Sequence, residues 1–190
     1  AEDESDSLIS LARVEAAQER WYELKRQERD LIDAGIDPKI AFETVWGSIT
    51  HIGLDPARKG EDKTGWAFRY GSAIHSVERT ERRDLMETSG KAKQYLQNNT
   101  AIMRIDINGL GAGTYDRLVE QWKHKELREP HDIKCPVEPV QVSNATKATD
   151  RTKQLMFHRL RDYLWWNIRD LLQYEDIALP TAEISTTSQP

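Results

Sequence analysis

The stretch Ala101-Ile102-Met103-Arg104-Ile105-Asp106-Ile107-Asn108-Gly109-Leu110-Gly111-Ala112-Gly113-Thr114 decides the fold. Its first six residues are an apolar run ending in a carboxylate, the pattern of a short strand. The glycines make a turn. From Thr114 to Lys125, Tyr115, Leu118, Val119 and Trp122 recur at near-helical spacing. Strand, turn and helix in this order form a βα unit.

Upstream, His51-Ile52-Gly53-Leu54-Asp55 is a second run ending in Asp. A polar loop leads from it to a strand over Thr64–Tyr70. Gly71-Ser72 turns the chain into a third strand, Ala73–Arg79, and closes a hairpin. Asp84–Gln97 reads as a helix with Leu85, Met86, Ala92, Tyr95 and Leu96 on its apolar side. Downstream, Val137–Val142 is a fifth strand, weakened by Pro139. Ser143–Thr149 reads as a flexible polar loop. Asp150 or Thr152 then opens a long helix over Arg151–Gln173. The order β-β-β-α-β-α-β-α predicts an α/β fold, a mixed sheet flanked by helices. In front of it, Ser7 caps a helix from Leu8 to Ala34, and Asp37-Pro38 starts a second that ends near Trp46. The expected organisation is a helical linker or extension over 1–48, one domain over 49–182 and a flexible tail over 183–190.

Composition removes several classes. At 190 residues the chain suits one domain with an appendage, given a prior of roughly 150 residues per domain. No run of about 18 apolar residues occurs, so no membrane span is expected. The start, Ala1-Glu2-Asp3-Glu4, lacks the basic and apolar regions of a secretory signal. The absent initiator Met fits processing or a fragment of a longer chain. The lone Cys135 rules out a disulfide framework or a multi-cysteine zinc site and points to the cytosol. A net charge of −5 argues against a protein that coats DNA. It leaves room for a nuclease, whose acidic site carries metal.

The chemistry rests on carboxylates. Asp55 and Asp106 both end strands, and ligands of open α/β sheets sit beyond the carboxyl ends of strands. Two neighbouring carboxylates repel unless one takes a proton or both share a cation. Asp162 lies among Phe157, Leu160, Leu164 and Trp165, where an acid needs either a salt bridge or a metal. Three Asp would form an all-oxygen site suited to Mg2+ or Mn2+, and two such ions about 4 Å apart serve phosphodiester hydrolysis. Asp62 is either an outer ligand of the same ions or a solvated loop carboxylate. Gly109, Gly111 and Gly113 miss the spacing of a dinucleotide fingerprint, so no nucleotide cofactor is expected. The histidines show no zinc spacing. Lys147, Arg151, Lys153 and Arg159 form either a phosphate-backbone patch or an ordinary solvated helix start. Trp165 and Trp166 read as core in preference to base-stacking residues.

Three segments resemble the nuclease domain of viral terminase large subunits, the DNA-packaging family of tailed bacteriophages. The first is Ile52-Gly53-Leu54-Asp55-Pro56-Ala57 with Gly60, Asp62, Lys63 and Thr64. The second runs from Ile105-Asp106 through Gly109, Gly111-Ala112-Gly113 and Tyr115-Asp116-Arg117-Leu118. The third is Arg161-Asp162, Trp165-Trp166 and Arg169-Asp170, followed by Ile177-Ala178-Leu179-Pro180. They span about residues 51–180 in the family's order. One departure is Arg161, where many relatives carry a small residue before the acid.

The resemblance implies an RNase H-like fold and a metal-dependent endonuclease that cuts concatemeric phage DNA during genome packaging. The catalytic acids fall on Asp55, Asp106 and Asp162, with Asp55 bridging two Mg2+ or Mn2+ ions. Cleavage would leave 3′-hydroxyl and 5′-phosphate ends. The implied partners are double-stranded DNA, the packaging ATPase domain of the full-length chain, the portal and the small terminase subunit. The implied place is the host cytoplasm, at the procapsid portal. An RNase H or resolvase of the same fold, and a non-catalytic docking module of the motor, are the alternatives.

Overall fold

The computed structural model describes residues 7–57, 63–80, 85–98, 101–109, 111–123 and 136–181. Contacts group the chain into two compact units. One comprises the described residues within 49–70 and 76–141; the other comprises those within 7–48, 71–75 and 142–181.

The first unit carries most of the sheet. Strands β1 (Ile49–Asp55), β2 (Thr64–Tyr70), β3 (Ala73–Thr80), β4 (Ile102–Asp106) and β5 (Val137–Val140) lie in the order β3-β2-β1-β4-β5. β1 pairs antiparallel with β2 and parallel with β4, and β4 pairs parallel with β5. Helices α3 (Leu85–Asn98) and α4 (Gly111–Lys123) supply the connections around β4. The sheet is mixed, five-stranded and flanked by helices, as its sequence pattern predicted.

Strand alternation explains the burial. Ile52 and Leu54, Trp66 and Phe68, Met103 and Ile105, and Val137 all point to one face. They pack with Ala92 and Leu96 of α3 and Leu118 of α4 into one apolar core. Pro139 is tolerated because β5 is an edge strand, where a missing N–H leaves no ladder bond broken. β5 ends at Val140, two residues short of the expected end.

The second unit begins with α1 (Leu11–Asp33) and α2 (Pro38–Trp46). α2 starts as its sequence predicts: the Asp37 carboxylate accepts from the amides of Lys39 and Ile40, and Pro38 occupies the first helical position. α1 starts three residues later than expected, after Ser10. The Ser7 hydroxyl donates to the Ile9 carbonyl instead of capping the helix.

The largest correction lies further on. The predicted helix over 151–173 is α5 over Leu160–Gln173 only. Residues 144–160 form an antiparallel ribbon, bridged at Ala145 with Arg159 and at Thr149 with Met156. Asp150 does not cap a helix. Its carboxylate accepts from the amides of Gln154 and Leu155 and from the Thr152 hydroxyl, holding a turn that Lys153 enters at φ +61°. Asp side chains stabilise turns and helix starts by the same bonds, and here the turn prevails. A small core of Ala17, Leu172 and Ile177 ties α1 to α5 and to the segment after it.

Candidate active site

β1 and β4 run parallel side by side, matched from His51 with Ile102 to Leu54 with Ile105. Asp55 and Asp106 are the next residues of each strand, so the two carboxylates end neighbouring strands at the same edge. Alternation puts them on one face with Gly53, Arg104 and His51, opposite the apolar core. Asp55 is exposed and Asp106 half-buried, so ligands have access. Two carboxylates offer hard oxygen donors only, which fits Mg2+ or Mn2+ and not zinc. Among the described residues, no group of three His, Cys, Asp or Glu side chains is close enough to hold a metal ion.

Local structure fixes Asp106 firmly. Its Oδ1 accepts from the Asn108 backbone amide at 2.9 Å and from the Asn108 Nδ2 at 2.8 Å. Gly109 follows at φ +83°, a conformation that glycine adopts without strain. Gly111 then starts α4 against the end of the strand. A Cβ added there would lie 1.7 Å from the Asp106 carbonyl oxygen and 3.6 Å from the Pro56 Cδ. Gly111 therefore serves a close approach of the start of α4 to the backbone at the end of β4. Past Asp55, the Ala57 amide donates to the buried Thr64 hydroxyl at 3.2 Å, closing the base of the loop between β1 and β2.

Charge on this face is mixed. Arg104 stands two residues before Asp106 and pairs with Glu138 of β5 at 3.0 Å. His51 is matched with Arg69 across the β1–β2 pair. Burial, then the Arg104 and Arg69 guanidiniums, hold the His51 pKa below its ordinary value. Neutral His51 therefore places no extra cation on the face at neutral pH.

The remaining expected residues stand as follows. Asp162 lies in the first turn of α5, within the other compact unit, and is exposed. The burial argument made for it does not hold, because the helix starts at Leu160. A carboxylate in a first helical turn is favoured by the helix dipole without a salt bridge or a metal. The buried acid of α5 is Asp170, bound by Arg169 at 2.9 Å. Asp62 lies outside the described residues. Lys147, Arg151, Lys153 and Arg159 are exposed on the 144–160 ribbon or its turn, not on a helix start. Arg151 is engaged within its own unit, paired with Asp176 and stacked 4.8 Å from the Tyr174 ring. Trp165 is 54% exposed, contrary to its core assignment, whereas Trp166 packs against Phe157 and under the Arg169 guanidinium.

Sequence reasoning missed Asn108, although the signal was present. An Asp followed two residues later by Asn and then Gly is a turn signature in which side chains bond to local amides. It also missed Arg104, since an Arg inside an apolar run looks like an ordinary outward-facing strand residue.

No protein-family model matches the sequence, and no curated protein matches it. Solved structures do. A mutant nuclease domain of the large terminase subunit gp2 of bacterial virus Sf6, solved with manganese and β-thujaplicinol, superposes with a TM-score of 0.62 at 16% identity, over 95% of this chain and 76% of that one. A calcium-containing structure of the mutant gp2 domain gives the same values. The Sf6 nuclease domain without those additions superposes at 0.60 and 16% identity, over 94% and 75% of the two chains. The chain thus has the fold of these terminase nuclease domains, the RNase H-like mixed sheet.

Proposed function

We propose that the chain is a metal-dependent DNA endonuclease that cuts concatemeric viral DNA during genome packaging. The observation that carries the reading is the pair Asp55 and Asp106, side by side at the ends of the two central parallel strands. The fold shared with terminase nuclease domains, some solved with manganese or calcium, supports it.

In this reading Asp55 and Asp106 would hold Mg2+ or Mn2+, two ions in all as the motif resemblance implies, and the motif pattern names Asp162 as a further candidate ligand. Asp62 is either an outer ligand of the same ions or a solvated loop carboxylate. Bound divalent cations would lower the pKa of water and neutralise charge developing on the scissile phosphate. The chain's own residues do the rest. The two Asp supply oxygen donors on one open face, and Gly111 lets the start of α4 close against the Asp106 backbone. Lys147, Lys153 and Arg159, with Arg151 to the extent that Asp176 releases it, hold the DNA backbone by charge. The net charge of −5 makes DNA binding by the domain alone weak. Delivery of DNA then falls to partners: the packaging ATPase domain of a longer chain, the portal and the small terminase subunit, in the host cytoplasm at the procapsid.

Substrate preference is the test. Double-stranded DNA, a four-way junction and an RNA–DNA hybrid are offered with Mn2+, beside Asp106→Asn. Cutting of plain duplex DNA that Asp106→Asn abolishes is the expected result. Preference for the hybrid or the junction would reassign the chain to an RNase H or resolvase role. Cutting that survives Asp106→Asn would refute the metal site.

A further inference from the structure

We infer that Asn108 is a positioning residue for the metal site, a neutral clamp that presents Asp106 to a divalent cation through one oxygen. The inference rests on the nuclease reading above and extends it to a residue that the motif pattern does not include.

The geometry carries it. A carboxylate at a strand end on an open face rotates about χ1 and χ2 and costs entropy to hold. Here both donors of Asn108, the backbone amide at 2.9 Å and Nδ2 at 2.8 Å, converge on Oδ1 of Asp106. Hydrogen bonds to an ionised acceptor are roughly twice as strong as neutral ones. Two of them on one oxygen fix the rotamer and divide the carboxylate into two unlike halves. Oδ1 is committed to the turn, and Oδ2 is the oxygen left to face a cation. A neutral donor suits this place. Lys or Arg would bring a cation that competes with the metal, and a second carboxylate would add repulsion beside Asp55 and Asp106. Gly109 at φ +83° and Gly111 against the Asp106 carbonyl fix the backbone on which Asn108 sits. The amide is thus held in place as well as the acid. Partners that orient metal-ligating groups are commonly worth 10–100-fold in metal affinity.

The test is Mn2+ binding to the whole chain, followed by the loss of the free-ion electron paramagnetic resonance signal. Wild type, Asn108→Ala and Asp106→Asn are compared, and each is checked for an unchanged melting temperature. Binding about tenfold weaker in Asn108→Ala, with Asp106→Asn weaker still, is the expected result. In nicking assays Asn108→Ala then lowers kcat at saturating DNA and leaves the KM for DNA unchanged. Wild-type affinity in Asn108→Ala with loss in Asp106→Asn would overturn the role of Asn108 and leave the nuclease reading standing. Wild-type affinity in both would overturn the two together.

A second measurement needs no variant. In a Mg2+ titration of 15N-labelled wild type, the Asn108 side-chain amide should shift with the same midpoint as the Asp106 backbone amide. A side-chain amide that stays still while the Asp106 amide moves would overturn the inference, whatever the stability of Asn108→Ala.

Discussion

Gly111 shows how one atom can decide a site. A methyl group there would overlap the Asp106 carbonyl oxygen, which is backbone and cannot swing aside. Gly111→Ala should therefore cost about 1–3 kcal/mol in urea unfolding, as forced overpacking does, and should lower any metal-dependent activity. Gly90 is the control: a Cβ there meets nothing within 4 Å on helix α3. Gly90→Ala should stabilise the chain by about 0.5–1 kcal/mol. Equal effects of the two substitutions would remove the close approach from the account.

At the same scale, His75 predicts a pH dependence. Burial first, then the Lys25 ammonium 3.2 Å from Nε2, lower its pKa from 6.5 to about 4. The unfolded ring takes a proton near 6.5 and the folded ring resists until about 4. Its contribution to stability is therefore complete above 6.5 and is lost progressively as pH falls toward 4. His75→Phe keeps a ring against Trp46 and Phe42, and its melting temperature should fall less than that of wild type between pH 6.5 and 4. Parallel curves for the two proteins over that range would contradict the assignment.

Among the elements, β1, β2, β3 and β4 were legible because alternating or continuous apolar runs ended at turn residues and carboxylates. Thr64–Tyr70 was read to the residue. The 144–160 ribbon was not legible. Asp150 and Thr152 carry helix-start chemistry, and nothing local distinguishes it from a turn held by the same side chains. Only the cross-strand bonds, such as the Phe157 amide to the Ala148 carbonyl at 3.0 Å, decide the matter. Asp150→Ala should thus speed hydrogen exchange at the Leu155 and Phe157 amides while leaving the α5 amides protected. Slower or unchanged exchange there would mean that the turn does not need its carboxylate. If this ribbon carries the DNA backbone, replacing Lys147, Lys153 and Arg159 by Ala should flatten the salt dependence of DNA binding by about 0.9 per lost contact. An unaltered slope would put the DNA elsewhere.

For the whole molecule, the pattern β-β-β-α-β-α-β was legible as a mixed sheet flanked by helices, but the strand order β3-β2-β1-β4-β5 was not, because spacing along the chain does not say that the strands ending in Asp55 and Asp106 are neighbours. The grouping of 142–181 with the N-terminal helices was not legible either. Spacing reveals that Leu172 and Ala17 face a core, but not that they face the same one. The candidate site was legible in the same uneven way. Two strand ends are visible as apolar runs ending in Asp, whereas the clamp on Asp106 depends on which side chain closes a turn.

The central claim is that Asp55 and Asp106 hold divalent cations for phosphodiester cleavage. Nicking of supercoiled plasmid by this chain with Mg2+, Mn2+ or EDTA, beside Asp55→Ala, tests it most directly. Nicking with Mn2+ at low salt, none with EDTA and none by Asp55→Ala at any metal concentration is the expected result. Nicking that persists in EDTA, or in Asp55→Ala, would contradict it.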